Sequence, residues 1–197
     1  MSVIILDGKR LAARILSEAR RRAAAVTRRR GRAPRLDIVS AGDDAASSYL
    51  KAKIRACADA GVDLVVHRLS PGPRAKTLGL LADLAGEALA DALLVETPYP
   101  QGVTVADAAA MIPSRKDAEA ITPAAYGSLF LAKTWAEAST IVLPCTAQAL
   151  ARLALASGMP LSGRRAMVIG RSATVGRPAA PLLSTLDMTV TLANSRT

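Results

Sequence analysis

The last thirty-odd residues constrain the fold most. Ala166-Met167-Val168-Ile169 is an apolar strand that runs directly into Gly170-Arg171-Ser172-Ala173-Thr174-Val175-Gly176-Arg177-Pro178. Gly170 and Gly176 permit a tight turn and close approach of backbone to a phosphate. A helix opening behind such a loop offers free N–H groups and the positive end of its dipole. Pro178 suits a first helical turn, where its missing N–H costs nothing. A second strand, Met188 to Ala193, follows, and then Asn194-Ser195-Arg196-Thr197. Sites that bind NAD usually carry an acid after this strand, to hold the ribose hydroxyls. Two hydroxyls and a guanidinium there favour a 2′-phosphate instead, hence NADP. The plainer alternative is a glycine-rich strand-to-helix turn with no ligand.

The rest of the chain sets bounds on this reading. Its 197 residues, 51% apolar, suffice for one good core or two small ones. No apolar run approaches the roughly 20 residues that span a membrane. The first residues lack the charged head and apolar stretch of a signal peptide, so a soluble, cytoplasmic protein is expected. Cys57 and Cys145 read as free thiols, and with His67 the sole histidine no metal site is expected. The net charge of +10 is concentrated: Lys9 to Arg35 holds eleven Lys/Arg and one acid, Glu18. Such a stretch raises nucleic acid as a partner. However, Leu11, Ile15, Ala19, Ala23 and Val26 recur at helical spacing, with arginines on the other faces and no aromatics to stack on bases. A solvated helix face is the better reading, and nucleic acid is not expected as a partner.

Strands and helices alternate. A strand is expected at Val3–Leu6, then the basic helix, and a strand at Leu36–Ser40. Gly42-Asp43-Asp44 reads as a turn, and Ser47 or Ser48 caps a helix to Ala60, closed by Gly61. A strand at Val62–Leu69, a helix at Thr77–Ala90 and a strand at Ala92–Glu96 follow. Next come helices at Val105–Ile112 and Ala124–Leu131, and one opened by Pro144-Cys145-Thr146 that runs to Ser157. The pattern predicts an α/β fold: an N-terminal three-layer α/β domain with a mainly parallel sheet, then an incomplete Rossmann-type NADP-binding unit. Ligands gather at the carboxyl ends of such strands, which places the Asp43 loop and the Glu96 turn on the functional edge.

These segments resemble the bifunctional methylenetetrahydrofolate dehydrogenase/cyclohydrolases. Besides Gly170-Arg171-Ser172, Val175-Gly176, Pro178 and Ser195-Arg196-Thr197, four segments agree in order. They are Leu6-Asp7-Gly8-Lys9, the helix with Ser47, Tyr49, Lys53, Ala56 and Cys57, the turn Val95-Glu96-Thr97-Pro98-Tyr99-Pro100, and Pro144-Cys145-Thr146. The resemblance implies a folate-binding catalytic-type domain over residues 1–143 and a partial dinucleotide-binding domain over 144–197. It implies a tetrahydrofolate-type substrate, a homodimer and NADP as cofactor. Lys53, Tyr49, Glu96 and Glu119 take the catalytic positions, and Tyr49, Pro98, Pro100 and Glu119 the substrate contacts. Gly170, Arg171, Ser172, Val175, Gly176, Ser195 and Arg196 take the cofactor contacts. Tyr49 and Lys53 lie one helical turn apart, on one face.

The sequence departs from the family at chemically telling places. The family's glutamine in the proline turn is Glu96 here, and a carboxylate would pair with Lys53 and hold it protonated. That would impair the cyclohydrolase step more than hydride transfer. The family's Lys-Asp-Val-Asp-Gly is Lys116-Asp117-Ala118-Glu119-Ala120, and its histidine after the second nucleotide strand is Asn194. The family pattern also continues for several strands and helices past the position of Thr197. A fragment, a remainder supplied by a partner, and a lost nucleotide function would each account for that. Two functions are thus expected to compete. One is NADP-dependent oxidation of methylenetetrahydrofolate with a weakened cyclohydrolase. The other is a non-catalytic or repurposed relative that binds a folate-like ligand or a protein partner.

Overall fold

The structure, a computed structural model, describes residues 5–41, 48–100 and 102–197. It is α/β, with every strand pairing parallel. The chain forms two compact units, residues 12–118 and residues 119–197 with the first eleven.

Helix α1 (Gly8–Arg30) opens on Asp7, whose carboxylate accepts the Arg10 N–H at 3.0 Å, and closes at Gly31, where φ is +74°. The first unit continues through β1 (Arg35–Ala41), α2 (Ser48–Ala60), β2 (Asp63–Leu69), α3 (Arg74–Gly86), β3 (Ala92–Val95) and α4 (Val105–Met111) to a 3-10 turn at Ser114–Lys116. The sheet order is β2-β1-β3, with Ile38 opposite Val66 on one side and Leu94 on the other. Alternation along β1 separates two faces. Ile38 packs with Leu50 of α2, Leu94, Leu36, Leu64 and Val66. The opposite face carries Val39 and, fully buried, Asp37.

The second unit holds α5 (Pro123–Leu131), α6 (Trp135–Ala138), α7 (Cys145–Ala156), β4 (Arg165–Ile169), α8 (Gly176–Ser184) and β5 (Thr189–Ala193). Its core joins Leu129, Leu143, Ala147, Ala151, Ala179 and Leu182, with Trp135, Val168 and Met188 packed against it. β4 and β5 pair in parallel, with Val168 opposite Leu192. Met167 and Ile169 of β4 are exposed.

Three expectations change. The strand at Val3–Leu6 is absent where it can be seen: Ile5 and Leu6 are exposed and pair with no strand, while Val3 lies outside the described residues. The third helix starts earlier, at Arg74, and stops at Gly86, where Lys116 closes it. The Lys116 ammonium, 7% exposed, donates to the carbonyls of Leu84, Ala85 and Glu87 at 3.1, 2.9 and 2.6 Å. That satisfies the helix's last acceptors with all three lysine donors. Helix α6 was not anticipated because four residues carry no periodicity. Its only signal is the cap, in which Thr134 Oγ1 accepts the Glu137 N–H at 3.3 Å. The turn at Gly42-Asp43-Asp44 and the cap at Ser47 lie outside the described residues.

The amino-terminal end of the sheet is tied by charge. Asp91 accepts from Arg30 at 2.9 Å, from Arg32 at 2.7 and 3.0 Å and from the Arg35 backbone N–H at 2.9 Å. The Arg32 guanidinium, with that N–H, holds the Asp91 carboxyl down at about 2 against its burial. Asp37 accepts from the Arg35 guanidinium at 2.9 Å on Oδ2 and 2.8 Å on Oδ1, and His67 Nε2 lies 2.7 Å from the same Oδ1. Burial pushes the Asp37 carboxyl up, but these donors outweigh it and leave it below its ordinary value. Part of the basic stretch is thus paired within the chain, and at the surface Arg22 pairs with Glu18 and Arg20 donates to the Asp59 carbonyl at 2.6 Å.

A carboxyl lowered in the folded state stabilises above its unfolded pKa, near 3.9, and loses that contribution as pH falls through the folded value. Asp91→Asn is expected to cost about 1–2 kcal/mol at pH 7, after allowance for partial exposure. It should cost almost nothing near pH 2. Urea midpoints of both proteins at pH 7, 4 and 2 check this. An equal loss at all three values would show that Asp91 acts by packing instead.

Candidate functional site

Lys53 and Glu96 meet at the carboxyl edge of the first sheet. Glu96 follows β3 immediately, and its N–H donates to the Val39 carbonyl at 2.8 Å, extending the ladder one residue past the strand. The glutamate is thereby drawn into the sheet and is 4% exposed. Lys53 projects from α2, and its Nζ donates to Glu96 Oε2 at 2.5 Å. The lysine side chain is 31% exposed against 4% for the glutamate, so the ion pair is buried at one end and wet at the other. Removing the lysine would strand a buried carboxylate, the costly way to break such a pair. Tyr49 lies one turn before Lys53 and is 77% exposed, a free aromatic face.

The proline turn follows Glu96. The Thr97–Pro98 peptide is cis, Pro98 is exposed, and Pro100 is buried. Pro100 borders a cavity of about 210 Å³ with Ala41, Leu69, Pro71 and Thr77. In the segment Lys116–Ala120, Lys116 serves as the α3 cap, and the Ala118 N–H donates to Leu93 O at 3.1 Å. Glu119 is half-buried and belongs to the second unit. Ala120 is 1% exposed with φ of +54°, a left-handed conformation that glycine adopts more easily. A glycine, as the resembling pattern has there, would suit this backbone better than the alanine that holds it.

The nucleotide-type loop is built by backbone. The Gly170 N–H donates to Ala193 O at 2.9 Å, locking the end of β4 to the end of β5. Gly170 has φ of +115°. The Arg177 N–H donates to Ser172 O at 3.0 Å, and the Gly176 N–H reaches Ser172 Oγ at 3.4 Å. A Cβ on Gly176 would collide with the backbone O and C of Gly170 and come within 3.0 Å of the Arg171 nitrogen. Helix α8 starts at Gly176, and its N-cap residue, Val175, provides no side-chain acceptor. Its first N–H groups are met by the loop itself: Gly176 and Arg177 donate to Ser172, Pro178 has no N–H, and the Ala179 N–H donates to Val175 O at 3.0 Å. Arg171 lines a groove of about 840 Å³ together with Arg177 and Asn194. Ser195 and Arg196 follow in an exposed turn, in which the Arg196 N–H donates to Asn194 Oδ1 at 3.0 Å. Sequence reasoning passed over Arg177. Its signal was a cation placed in the first turn of the helix.

Among the described residues no cluster of three His, Cys, Asp or Glu could hold a metal. No helix among them is long and apolar enough to cross a membrane.

Comparison with known proteins follows the same division. Residues 6–119 match the tetrahydrofolate dehydrogenase/cyclohydrolase catalytic domain, and residues 144–197 match the NAD(P)-binding domain of the same family. The chain belongs to this family. The bifunctional protein FolD 2 of Frankia alni is 37% identical over 199 residues, covering 100% of this chain and 67% of the relative. The bifunctional FolD of Campylobacter jejuni superposes with a TM-score of 0.86 at 29% identity, over 98% of this chain and 67% of that one. The Trypanosoma brucei FolD, solved in complex with NADP cofactor and inhibitor, gives 0.86 at 29% identity, over 100% of this chain and 65% of its own. The chain spans about two thirds of the length of these FolD proteins. Its fold is theirs: an N-terminal α/β domain followed by a Rossmann-like NAD(P)-binding domain.

The two glycine environments predict opposite outcomes. Gly176→Ala is expected to destabilise by about 1–3 kcal/mol, because backbone rather than a side-chain tip must give way. Gly127→Ala, inside α5 with nothing within 4 Å of the added methyl, is expected to be neutral or to stabilise by up to about 1 kcal/mol. Urea denaturation of the two variants decides it. A well-tolerated Gly176→Ala would mean that the loop does not need this close approach.

Proposed function

We propose that this protein oxidises 5,10-methylenetetrahydrofolate to the 5,10-methenyl compound with NADP, and that its cyclohydrolase step is impaired. The observation that carries the reading is the Lys53–Glu96 ion pair at the carboxyl edge of the sheet. Opening the methenyl bridge with water needs a group that moves protons, and the Lys53 Nζ is committed to the Glu96 carboxylate at 2.5 Å. Oxidation of the methylene carbon asks less of that lysine. There it orients the folate, and the ammonium suits that task. Tyr49, exposed one turn away, offers its ring to the pterin. By resemblance to the family, Glu119 keeps the charge of its pterin-binding aspartate, and Pro98 and Pro100 shape the turn that follows Glu96. These roles rest on the family resemblance and fit the burial and exposure of each side chain.

The residues of the second unit fit NADP. Gly176 lets the start of α8 pack directly on the Gly170 backbone, a Cβ on Gly170 would face open space, and Arg171 adds charge beside the loop. Ser172 and Val175 complete the loop, while Ser195 and Arg196 lie where a ribose phosphate is read. When bound, NADP would supply the acceptor for the hydride leaving the methylene carbon. The division at 143/144 and the homodimer belong to the same proposal. A second reading, a repurposed relative that binds such a ligand without turnover, draws on the same ion pair.

Glu96→Gln is the deciding variant, because an amide can still accept from Lys53 without forming an ion pair. Cyclohydrolase activity, followed as decay of methenyltetrahydrofolate absorbance, is expected to rise about tenfold or more. Dehydrogenase activity, followed as NADPH formation, is expected to stay within about threefold. NADP binding with no turnover in either protein would favour the repurposed reading. An unchanged cyclohydrolase rate in a variant that still binds folate would remove Glu96 from the explanation.

A further inference from the structure

The cavity of about 210 Å³ beside Pro100 lies on the face of the first sheet opposite the Lys53–Glu96 pair. Ala41 and Leu69, the last residues of β1 and β2, line it and pair in register. Side chains alternate along a strand, so Ala41 shares the face of Asp37 and Val39. Val95 pairs with Val39, which turns the next residue, Glu96, to the other face, where it meets Lys53 of α2. The first turn of α3 completes the cavity with Lys76 and Thr77, between Pro71, Pro73 and Pro100. Thr77 is 4% exposed, and its hydroxyl has no hydrogen-bond partner among the described residues. A helical threonine commonly donates to the carbonyl four residues back, as Thr27 does to Ala23 at 2.9 Å; Thr77 does not. Lys76 is also without a partner among the described residues. Its Cδ lies 3.7 Å from where a Cβ on Gly72 would stand, so its stem folds back over a glycine that lines the same cavity. Arg74, the other cation of this turn with Lys76, is answered by Asp107. No carboxylate lines the cavity.

These groups select a ligand by chemistry. A buried hydroxyl without a partner costs free energy until something meets it. The positive end of the α3 dipole and the Lys76 ammonium favour negative charge beside it. One ammonium answers one negative charge, so a monoanion fits better than a dianion. Three prolines, an alanine and a leucine ask for an apolar body. The volume is below the roughly 300 Å³ at which pockets for drug-sized ligands begin, so the ligand is small. We propose that this cavity binds a small aliphatic carboxylate, with Lys76 answering its charge and Thr77 donating to one of its oxygens. The site is distinct from the folate edge and rests on neither the NADP nor the folate reading. Pro100 links the two faces, because it walls the cavity and ends the turn that begins after Glu96.

Butyrate, its uncharged analogue butyramide and inorganic phosphate are the probes, titrated into the full chain with isotope-labelled threonine methyls. The Thr77 methyl resonance, assigned by its loss in Thr77→Val, reports occupancy of the cavity. Butyrate is expected to shift it saturably, and butyramide and phosphate far less. Affinities of the variants are read from the line width of the butyrate methyl signal. Lys76→Gln should weaken butyrate about tenfold or more, and Thr77→Val about threefold to tenfold, as loss of a hydrogen bond to a charged group does. Lys76→Arg, which keeps the charge, should stay within about threefold of wild type. Without ligand, Thr77→Val should melt no lower than wild type, since it removes a hydroxyl that the empty protein leaves unsatisfied. A clear drop in its melting temperature would mean that the hydroxyl serves the fold, and would overturn the proposal. So would a Thr77 methyl that butyrate does not shift, because the cavity then holds water only. Butyramide binding as tightly as butyrate, or phosphate binding more tightly, would overturn the assignment to a carboxylate. Butyrate binding that survives both Lys76→Gln and Thr77→Val would place it elsewhere on the chain and overturn the site.

Discussion

β1 is hydrogen-bonded on both sides, and the first unit is organised by that constraint. A central parallel strand must bury both of its faces. One face does so with Ile38 against Leu50 and Leu94. The other buries Asp37, which is tolerable only because Arg35 and His67 reach its oxygens. The ladder runs on past the end of β3, through the Glu96 N–H to Val39. The same pairing that holds the sheet together therefore sets the depth of Glu96, and with it the acceptor that Lys53 meets. Fold and site share one row of backbone hydrogen bonds here, so a change that loosens β3 would also move the carboxylate.

Most of this architecture was legible as pattern. The apolar runs at Leu36–Ser40, Val62–Leu69, Ala92–Glu96, Ala166–Ile169 and Met188–Ala193 all became strands, with ends shifted by a residue or two. Gly61 ends α2 with φ of +71°, as a closing glycine should. The failures have physical causes. Apolar character at Ile5 and Leu6 was taken for a strand, but strand formation requires a partner ladder, which a local sequence cannot supply. The end of α3 was misplaced because its stop signal is Lys116, some thirty residues away in sequence. Helix α6 is shorter than the window in which helical periodicity can be seen.

The site was less legible than the fold, and unevenly so. Lys53 and Glu96 were named from the sequence, and they do meet. The resemblance named both positions, and their opposite charges predicted that they would pair. The loop Gly170–Gly176 was legible because glycine marks backbone requirements directly: one residue has positive φ, and the other leaves no room for a Cβ. Arg177 was not legible, because a surface arginine in a chain with 26 lysines and arginines carries little information until its neighbours are known. Likewise, nothing in Asp37 as a letter distinguishes a buried, doubly bonded carboxylate from a surface one.

Charge distribution separates the two halves of the proposed chemistry. On the folate side, the cation has been given a buried carboxylate, which neutralises it and fixes its position. On the nucleotide side, two guanidiniums line a groove without an acid to answer them. Their charge is open to an anionic ligand, whereas the Lys53 ammonium already has its counter-charge. The proposed oxidation draws on that division, because it asks the lysine only to hold its substrate still while a hydride leaves.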